Sequence, residues 1–98
     1  LAVERGWVLT EQFGSPANSR MHEQTTGPEI VAQLGAQPCA LVCGAGTGGT
    51  ITGVGRCLKV RTPGARVVLA DPIGSRLAHL VDPRHPDHDA SYKVEGIG

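Results

Sequence analysis

The sequence has few aromatic side chains and no surplus of charge of either sign. Trp7, Phe13 and Tyr92 are its aromatic residues, so large aromatic packing cannot dominate a core. Nine lysine and arginine residues balance nine aspartate and glutamate residues, which gives a formal net charge of zero. This balance argues against a nucleic-acid-binding module, which needs a basic surplus to neutralise phosphates. It also argues against a disordered acidic or basic tail.

Long hydrophobic runs and paired cysteines are missing as well. The apolar runs are only a few residues long, far short of the roughly 20 residues that cross a bilayer, so we expect no membrane partner. Cys39, Cys43 and Cys57 make an odd count, which fits a cytoplasmic location better than a secreted disulfide scaffold. The chain starts at Leu1 rather than Met, and we expect a fragment or a processed chain.

The order of apolar runs and turn residues predicts an α/β fold. We expect a parallel twisted sheet with flanking helices, in the order β-α-β-α-β. The run Cys-Ala-Leu-Val-Cys at 39–43 is typical of a central strand covered on both faces. The patterns predict strands over 7–12, 39–43 and 67–70, helices over 1–6, 25–34, 51–60 and 73–80, loops over 13–24 and 81–91, and an extended segment over 92–98.

A glycine-rich stretch lies between a predicted buried strand and a predicted helix. Residues 44–50 read Gly-Ala-Gly-Thr-Gly-Gly-Thr, and missing Cβ atoms let such a backbone turn tightly and expose consecutive N–H groups. Those groups, with the positive end of the helix dipole behind them, are suited to binding a phosphate. Thr47 and Thr50 can add hydroxyl donors. A plain strand-to-helix turn would not need four glycines in six residues.

Two phosphate ligands fit this spacing. Gly44, Gly46 and Gly49 satisfy G-x-G-x-x-G, and Asp71 follows Gly49 by 22 residues at the end of the next predicted strand. That is the pattern of an NAD-type dinucleotide-binding half-domain, with Asp71 on a ribose. The alternative is a cup for one terminal phosphate, as in pyridoxal phosphate. Spacing alone does not separate the two, and by itself it favours the dinucleotide.

Neighbouring residues show a resemblance that runs through nearly the whole chain. The sequence resembles the cysteine synthase / cystathionine β-synthase family, in the family's own order. The residues that carry the resemblance are Gln12-Phe13, Pro16-Ala17-Asn18, His22, 25–30 (Thr-Thr-Gly-Pro-Glu-Ile), 46–53 (Gly-Thr-Gly-Gly-Thr-Ile-Thr-Gly) and 96–98 (Gly-Ile-Gly).

The resemblance implies a fold type II, pyridoxal-5'-phosphate-dependent enzyme that acts as a homodimer. Such enzymes replace the β-substituent of serine or O-acetylserine with a thiol or sulfide, and the cofactor supplies the electron sink. The products would be cystathionine, from serine and homocysteine, or cysteine, from sulfide. Asp71-Pro72 and the stretch 92–96 (Tyr-Lys-Val-Glu-Gly) resemble cystathionine β-synthase more than cysteine synthase.

The resemblance also implies roles for individual residues. Gly46, Thr47, Gly48, Gly49 and Thr50 match the loop that cradles the cofactor phosphate, in agreement with the reading of the loop from its residues alone. Gln12 and Gly96 match positions that contact the amino-acid substrate. Without the resemblance, a strand-end glutamine and a turn glycine would be the simpler interpretation of these two residues.

Asn18 and His22 lie in a matched motif, and we expect them to bridge backbone groups in a long loop. The Schiff-base lysine of the family lies in its N-terminal half and has no counterpart here. The chain has only Lys59 and Lys93, and neither matches that position. We therefore assign no catalytic residue and expect residues 1–98 to form a single partial domain that is inactive alone.

A cluster of possible metal ligands occurs near the end of the chain. Its members are His79, Asp82, His85, Asp87, His88 and Asp89. Because Pro83 and Pro86 make this segment a loop, a solvated surface is the favoured interpretation and no metal is assigned. Cys39 and Cys43 are four residues apart in a strand, about 13 Å, which is too far for a disulfide, so we expect buried hydrophobic thiols.

Overall fold

A computed structural model of the chain describes residues 2–9, 11, 14–87 and 97. Seven regular elements and one π-helical segment lie within them. In chain order they are α1 (Ala2–Arg5), α2 (Ala17–Met21), the π segment (His22–Thr26), α3 (Gly27–Leu34), β1 (Ala40–Cys43), α4 (Gly49–Arg61), β2 (Arg66–Leu69) and α5 (Leu77–Val81). The predicted α/β class is confirmed.

The N-terminal part of the chain is less regular than the sequence predicts. Helix α1 ends before Gly6, whose φ of 68° lets it close the helix. The predicted strand over 7–12 is wrong for the residues that can be described there: Trp7, Val8 and Leu9 have no regular structure and are exposed. A strand needs a partner for its backbone groups, and the described part of the chain offers none here. The Trp7 ring instead lies 5.0 Å from the guanidinium of Arg5.

A continuous helical stretch, residues 17–34, replaces most of the predicted loop over 13–24. Helix α2, the π segment and α3 follow one another without a break. Pro28 has no N–H to donate within a helix, and the wider π turn before it lets the Gly27 amide donate to the carbonyl of His22. The predicted end is confirmed, since Gly35 follows Leu34 with a φ of 64°.

Within residues 14–87, which the structure describes without a gap, the sheet has two parallel strands joined through α4. Strands β1 and β2 pair in register from Ala40 opposite Arg66 to Cys43 opposite Leu69. Both strands lie within two residues of their predicted bounds. The expectation that the first is covered on both faces is wrong within the described residues: one face packs towards α4, while Val42 on the other is 67% exposed.

Helix α4 lies at the centre of the packing. Val54 and Leu58 are each only 1% exposed and pack with Ala65, Ile30 and Leu41. Glycines let the helical stretch approach closely: a Cβ on Gly53 would clash with the carbonyl of Ser19 and the side chain of His22. Among the described residues, none of the helices is long and apolar enough to cross a membrane.

Candidate functional site

The glycine loop connects the carboxyl end of β1 to the first turn of α4. Gly48 precedes the helix with a φ of 84°, a conformation that favours glycine. The first amides of a helix have no carbonyl of their own helix to bind, and α4 runs for 13 residues behind them with its dipole. A cavity of about 140 Å³ is lined by residues 43–51. The loop itself is uncharged, so an anion there would be held by amides, hydroxyls and the dipole.

The hydroxyl of Thr47 has two donors directed at it. Asn18 Nδ2 donates to Thr47 Oγ1 at 2.9 Å, and the Gly49 amide donates to the same oxygen at 3.2 Å. One donor therefore comes from within the loop and the other from α2, which lies across it.

The hydroxyl of Thr50 is held by a histidine. His22 Nε2 lies 3.3 Å from Thr50 Oγ1, and His22 Nδ1 lies 2.9 Å from Thr26 Oγ1. The imidazole is half-buried between the π segment and α4. Thr26, His22 and Thr50 thus form one hydrogen-bonded chain that ends at the glycine loop.

Asn18 and His22 reach the loop because they lie on one face of a helix. Their spacing of four residues places them one turn apart. The opposing surface of α4 is made of glycine: a Cβ on Gly49 would overlap the Asn18 carboxamide, and one on Gly53 would meet His22 Cβ at 2.6 Å. The expectation that Asn18 and His22 lie in a long loop is therefore wrong: both lie on the helical stretch, where their side chains bond threonine hydroxyls.

A second cavity lies beside Thr47. It has a volume of about 210 Å³ and is lined by Pro16, Asn18, Thr47, Gly48 and Thr52 among others. Polar groups from α2 and from the glycine loop face it from two sides. The two cavities share Thr47, Gly48 and Gly49 in their linings.

Asp71 has a local structural partner. Its Oδ2 accepts the amide of Ala78 at 2.9 Å and so caps the first turn of α5. Its Oδ1 is buried and accepts no hydrogen bond from the described residues. The carboxylate is thus engaged in holding α5, which does not favour the assignment of Asp71 to a dinucleotide ribose.

The candidate metal ligands make local contacts. His79 Nδ1 lies 2.8 Å from the carbonyl oxygen of His85, and Asp87 pairs with Arg76. Hydrogen bonds from Arg84 hold the pKa of Asp82 below its ordinary value. In the part of the chain that the structure describes, no three His, Cys, Asp or Glu residues are grouped to hold a metal; His88 and Asp89 lie outside it.

Some of the remaining residues singled out in the sequence lie among the described residues, and others do not. Gln12, Gly96 and Lys93 lie outside the described residues. Lys59 lies in the last turn of α4. Cys57 is buried and Cys43 half-buried, but Cys39 is exposed, so the expectation of a buried thiol is wrong there. Cys39 precedes β1 rather than lying within it.

Comparisons with known proteins agree on one family. A family model described as "Pyridoxal-phosphate dependent enzyme" matches residues 1–98. Cysteine synthase 2 of Schizosaccharomyces pombe is 50% identical over 101 residues, covering 92% of this chain and 26% of that protein. Cystathionine beta-synthase of Dictyostelium discoideum is 42% identical over 90 residues, covering 92% of this chain and 18% of that protein.

A solved structure shows the same fold. The crystal structure of O-ureido-L-serine synthase superposes with a TM-score of 0.81 at 36% identity, covering 99% of this chain and 29% of that one. The chain therefore spans less than a third of the length of the relatives it matches.

Proposed function

Because the chain belongs to the family of pyridoxal-phosphate dependent enzymes, we propose that its glycine loop holds the phosphate group of pyridoxal 5'-phosphate. The residues assigned to this role are Gly46, Thr47, Gly48, Gly49 and Thr50. The observation that carries the proposal is the convergence at this loop of the N-terminus of α4 with two threonine hydroxyls, each held by a side chain from the facing helix.

The described residues fit a phosphate group. Amides at the start of a long helix and hydroxyl hydrogens are the donors that a phosphate accepts. The glycines keep the approach free of side chains, and Gly48 adopts a φ of 84° that a larger residue would resist. When bound, the cofactor supplies an electron sink for chemistry at an amino acid. The loop's own work is to bind and orient the phosphate end.

The proposed reaction class is β-replacement on serine or O-acetylserine. Relatives named cysteine synthase and cystathionine beta-synthase support it, with sulfide or homocysteine as the incoming group. Residues 1–98 would be one partial domain of a cytoplasmic homodimer. In that enzyme Gln12 and Gly96 would contact the amino-acid substrate.

We also propose that neither lysine of this chain can form a Schiff base with a cofactor bound at the glycine loop. Lys59 is ten residues beyond Gly49 on the same helix, which places its Cα about 15 Å along the axis from the loop. Lys93 does not match the family position. The 98-residue chain would therefore bind the cofactor without the reactive lysine and be inactive.

Titration of the chain with three ligands tests the loop assignment. We expect pyridoxal 5'-phosphate to bind, pyridoxal without its phosphate to bind at least tenfold more weakly, and NAD to bind weakly, because the loop recognises a terminal phosphate. The double variant Thr47→Val/Thr50→Val should remove the preference for the phosphorylated ligand. Thr25→Val is the matched control, since among the described residues that hydroxyl bonds Met21 of the same helical stretch and not the glycine loop.

Tight NAD binding that Asp71→Ala abolishes would support the dinucleotide half-domain instead. Borohydride reduction followed by peptide mass analysis extends the same experiment to the lysines. We expect only nonspecific labelling of Lys59 and Lys93, equal in the wild-type chain and the double threonine variant. Stoichiometric labelling of either lysine that needs Thr47 and Thr50 would contradict the claim of inactivity.

A further inference from the structure

We propose that Asn18 and His22 are positioning residues that turn both threonine hydroxyls of the glycine loop into hydrogen-bond donors. The ligand they select is a small anion that only accepts, such as a phosphate dianion. The inference rests on the proposed function, because the same loop carries both. It adds a role for two side chains that need not touch the ligand.

The donor role of Thr47 follows from counting its lone pairs. A threonine hydroxyl has two lone pairs and one hydrogen. Asn18 Nδ2 and the Gly49 amide both donate to Thr47 Oγ1, at 2.9 Å and 3.2 Å. Both lone pairs are then occupied by donors from the protein. The hydroxyl has only its hydrogen left to offer a ligand.

The donor role of Thr50 follows from the tautomer of His22. A neutral imidazole carries one N–H and one acceptor nitrogen. The Thr26 hydroxyl can donate to His22 Nδ1 at 2.9 Å or to the sulfur of Met21 at 3.9 Å, and sulfur is the weaker acceptor. Thr26 therefore donates to Nδ1, and the proton of His22 lies on Nε2. From there it is donated to Thr50 Oγ1, which frees the hydrogen of Thr50.

The direction of these hydrogens decides which ligand the loop accepts. A hydroxyl that donated back to Asn18 or His22 would present lone pairs to the ligand and repel an anion. With both hydrogens directed into the loop, their dipoles add to that of α4. The close approach at Gly49 and Gly53 fixes the facing helix, so the two side chains need no rearrangement to do this.

Nitrogen NMR of the imidazole rings tests the tautomer directly. We expect His22 in the free chain to be the Nε2–H tautomer, with an unprotonated Nδ1, and to remain so when inorganic phosphate is added. His79, whose Nδ1 lies 2.8 Å from a carbonyl oxygen and must donate to it, is the internal reference for the opposite tautomer. An Nδ1–H tautomer at His22 would overturn the inference, whether or not phosphate binds.

Double-mutant cycles on inorganic phosphate affinity test the coupling. His22→Ala and Thr50→Val should each weaken binding roughly 10-fold, the loss expected for one hydrogen bond to an anion. The two changes together should weaken it no further than one alone, since His22 acts through Thr50. Asn18→Ala with Thr47→Val should behave in the same way. Thr50→Ser, which keeps the hydroxyl, should restore nearly wild-type affinity.

Losses that add in full would show that Asn18 and His22 act independently of the hydroxyls and would overturn the inference. Urea unfolding of every variant separates affinity from folding, because a merely structural role would lower stability without coupling to Thr50 or Thr47. If the wild-type chain binds neither phosphate nor pyridoxal 5'-phosphate, the proposed function fails and the inference with it. If it binds both and the cycles are additive, only the inference fails.

Discussion

The contact between α4 and the helical stretch is more fully buried than the sheet formed by β1 and β2. In the first, Val54 and Leu58 are each 1% exposed, and Gly53 brings the backbones together. In the second, Val42 remains 67% exposed although it is a strand residue of a parallel sheet. Parallel sheets are normally covered on both faces. The helical packing is thus satisfied by residues of this chain, while the described part of the chain leaves one apolar face of the sheet exposed.

This difference in burial matters for the glycine loop. The hydrogen bonds that hold the threonine hydroxyls of the glycine loop involve α2, the π segment and α4. All three elements belong to the well-buried helical contact. The loop begins at the end of β1, but the side chains that orient its threonine hydroxyls lie on the helical stretch. We therefore expect the phosphate-binding geometry to be more robust than the sheet from which the loop emerges.

The largest change in the free energy of unfolding should come from shortening a core side chain. Leu58→Ala should lower the free energy of unfolding by about 3 kcal/mol, because it leaves a cavity at the centre of the packing. Val42→Ala, on the open face of the sheet, should cost less than about 1 kcal/mol. Urea denaturation of both variants measures the difference. Equal losses would mean that the sheet face is packed as tightly as α4.

Adding a methyl group at the helix contact should have the next largest effect. Gly53→Ala should lower the free energy of unfolding by about 2 kcal/mol, since its Cβ would overlap the backbone of Ser19 and force the helices apart. It should also weaken phosphate binding by displacing His22. Gly64→Ala is the matched control, because its Cβ would meet nothing within 4 Å.

We expect Gly64→Ala to leave stability unchanged or raise it by up to about 1 kcal/mol. Urea unfolding and a phosphate titration of the two alanine variants give the comparison. A Gly53→Ala variant as stable as Gly64→Ala would show that the close approach of α4 is not required.

The smallest effect should come from the exposed ion pair beyond α5. Arg84→Ala should raise the pKa of Asp82 towards its ordinary value, because the hydrogen bonds from Arg84 hold it down. A carboxyl whose pKa is lowered by folding stabilises the fold above its unfolded pKa and loses that contribution as the pH falls through the folded pKa. The pair is exposed, so we expect no measurable change in stability at neutral pH.

A carboxyl NMR titration checks the shift. Arg76→Ala is the control, since Arg76 pairs with Asp87 and should leave the titration of Asp82 in place. A change in the Asp82 titration in that variant, or none in Arg84→Ala, would assign the lowered pKa to another cause.

The strand–loop–helix–strand unit could be predicted well from the sequence. The predicted strands over 39–43 and 67–70 and the predicted helix over 51–60 agree with β1, β2 and α4 to within two residues at each end. Local sequence patterns indicate these elements, because continuous apolar residues mark the strands and glycine or proline marks the breaks. The α/β class and the family followed from them and from the neighbouring motifs.

The helical stretch was the main failure of prediction. Gly14, Pro16, Asn18 and Ser19 favour turns by their own preferences, yet α2 forms at 17–21. Its packing against α4 outweighs those preferences, and no local pattern shows that packing. The strand expected at 7–12 does not form at residues 7–9 for the converse reason: the local pattern is favourable, but no partner strand lies beside it among the described residues.

The sequence by itself determined the nature of the loop, because four glycines and two threonines between a strand and a helix can be recognised within seven residues. It did not determine which way the threonine hydrogens point. That depends on Asn18 and His22, which lie 29 and 28 residues away from the hydroxyls they bond. Only the packing of α2 and the π segment against the glycine face of α4 brings them within hydrogen-bond distance, and hydrogen bonds act at that range alone.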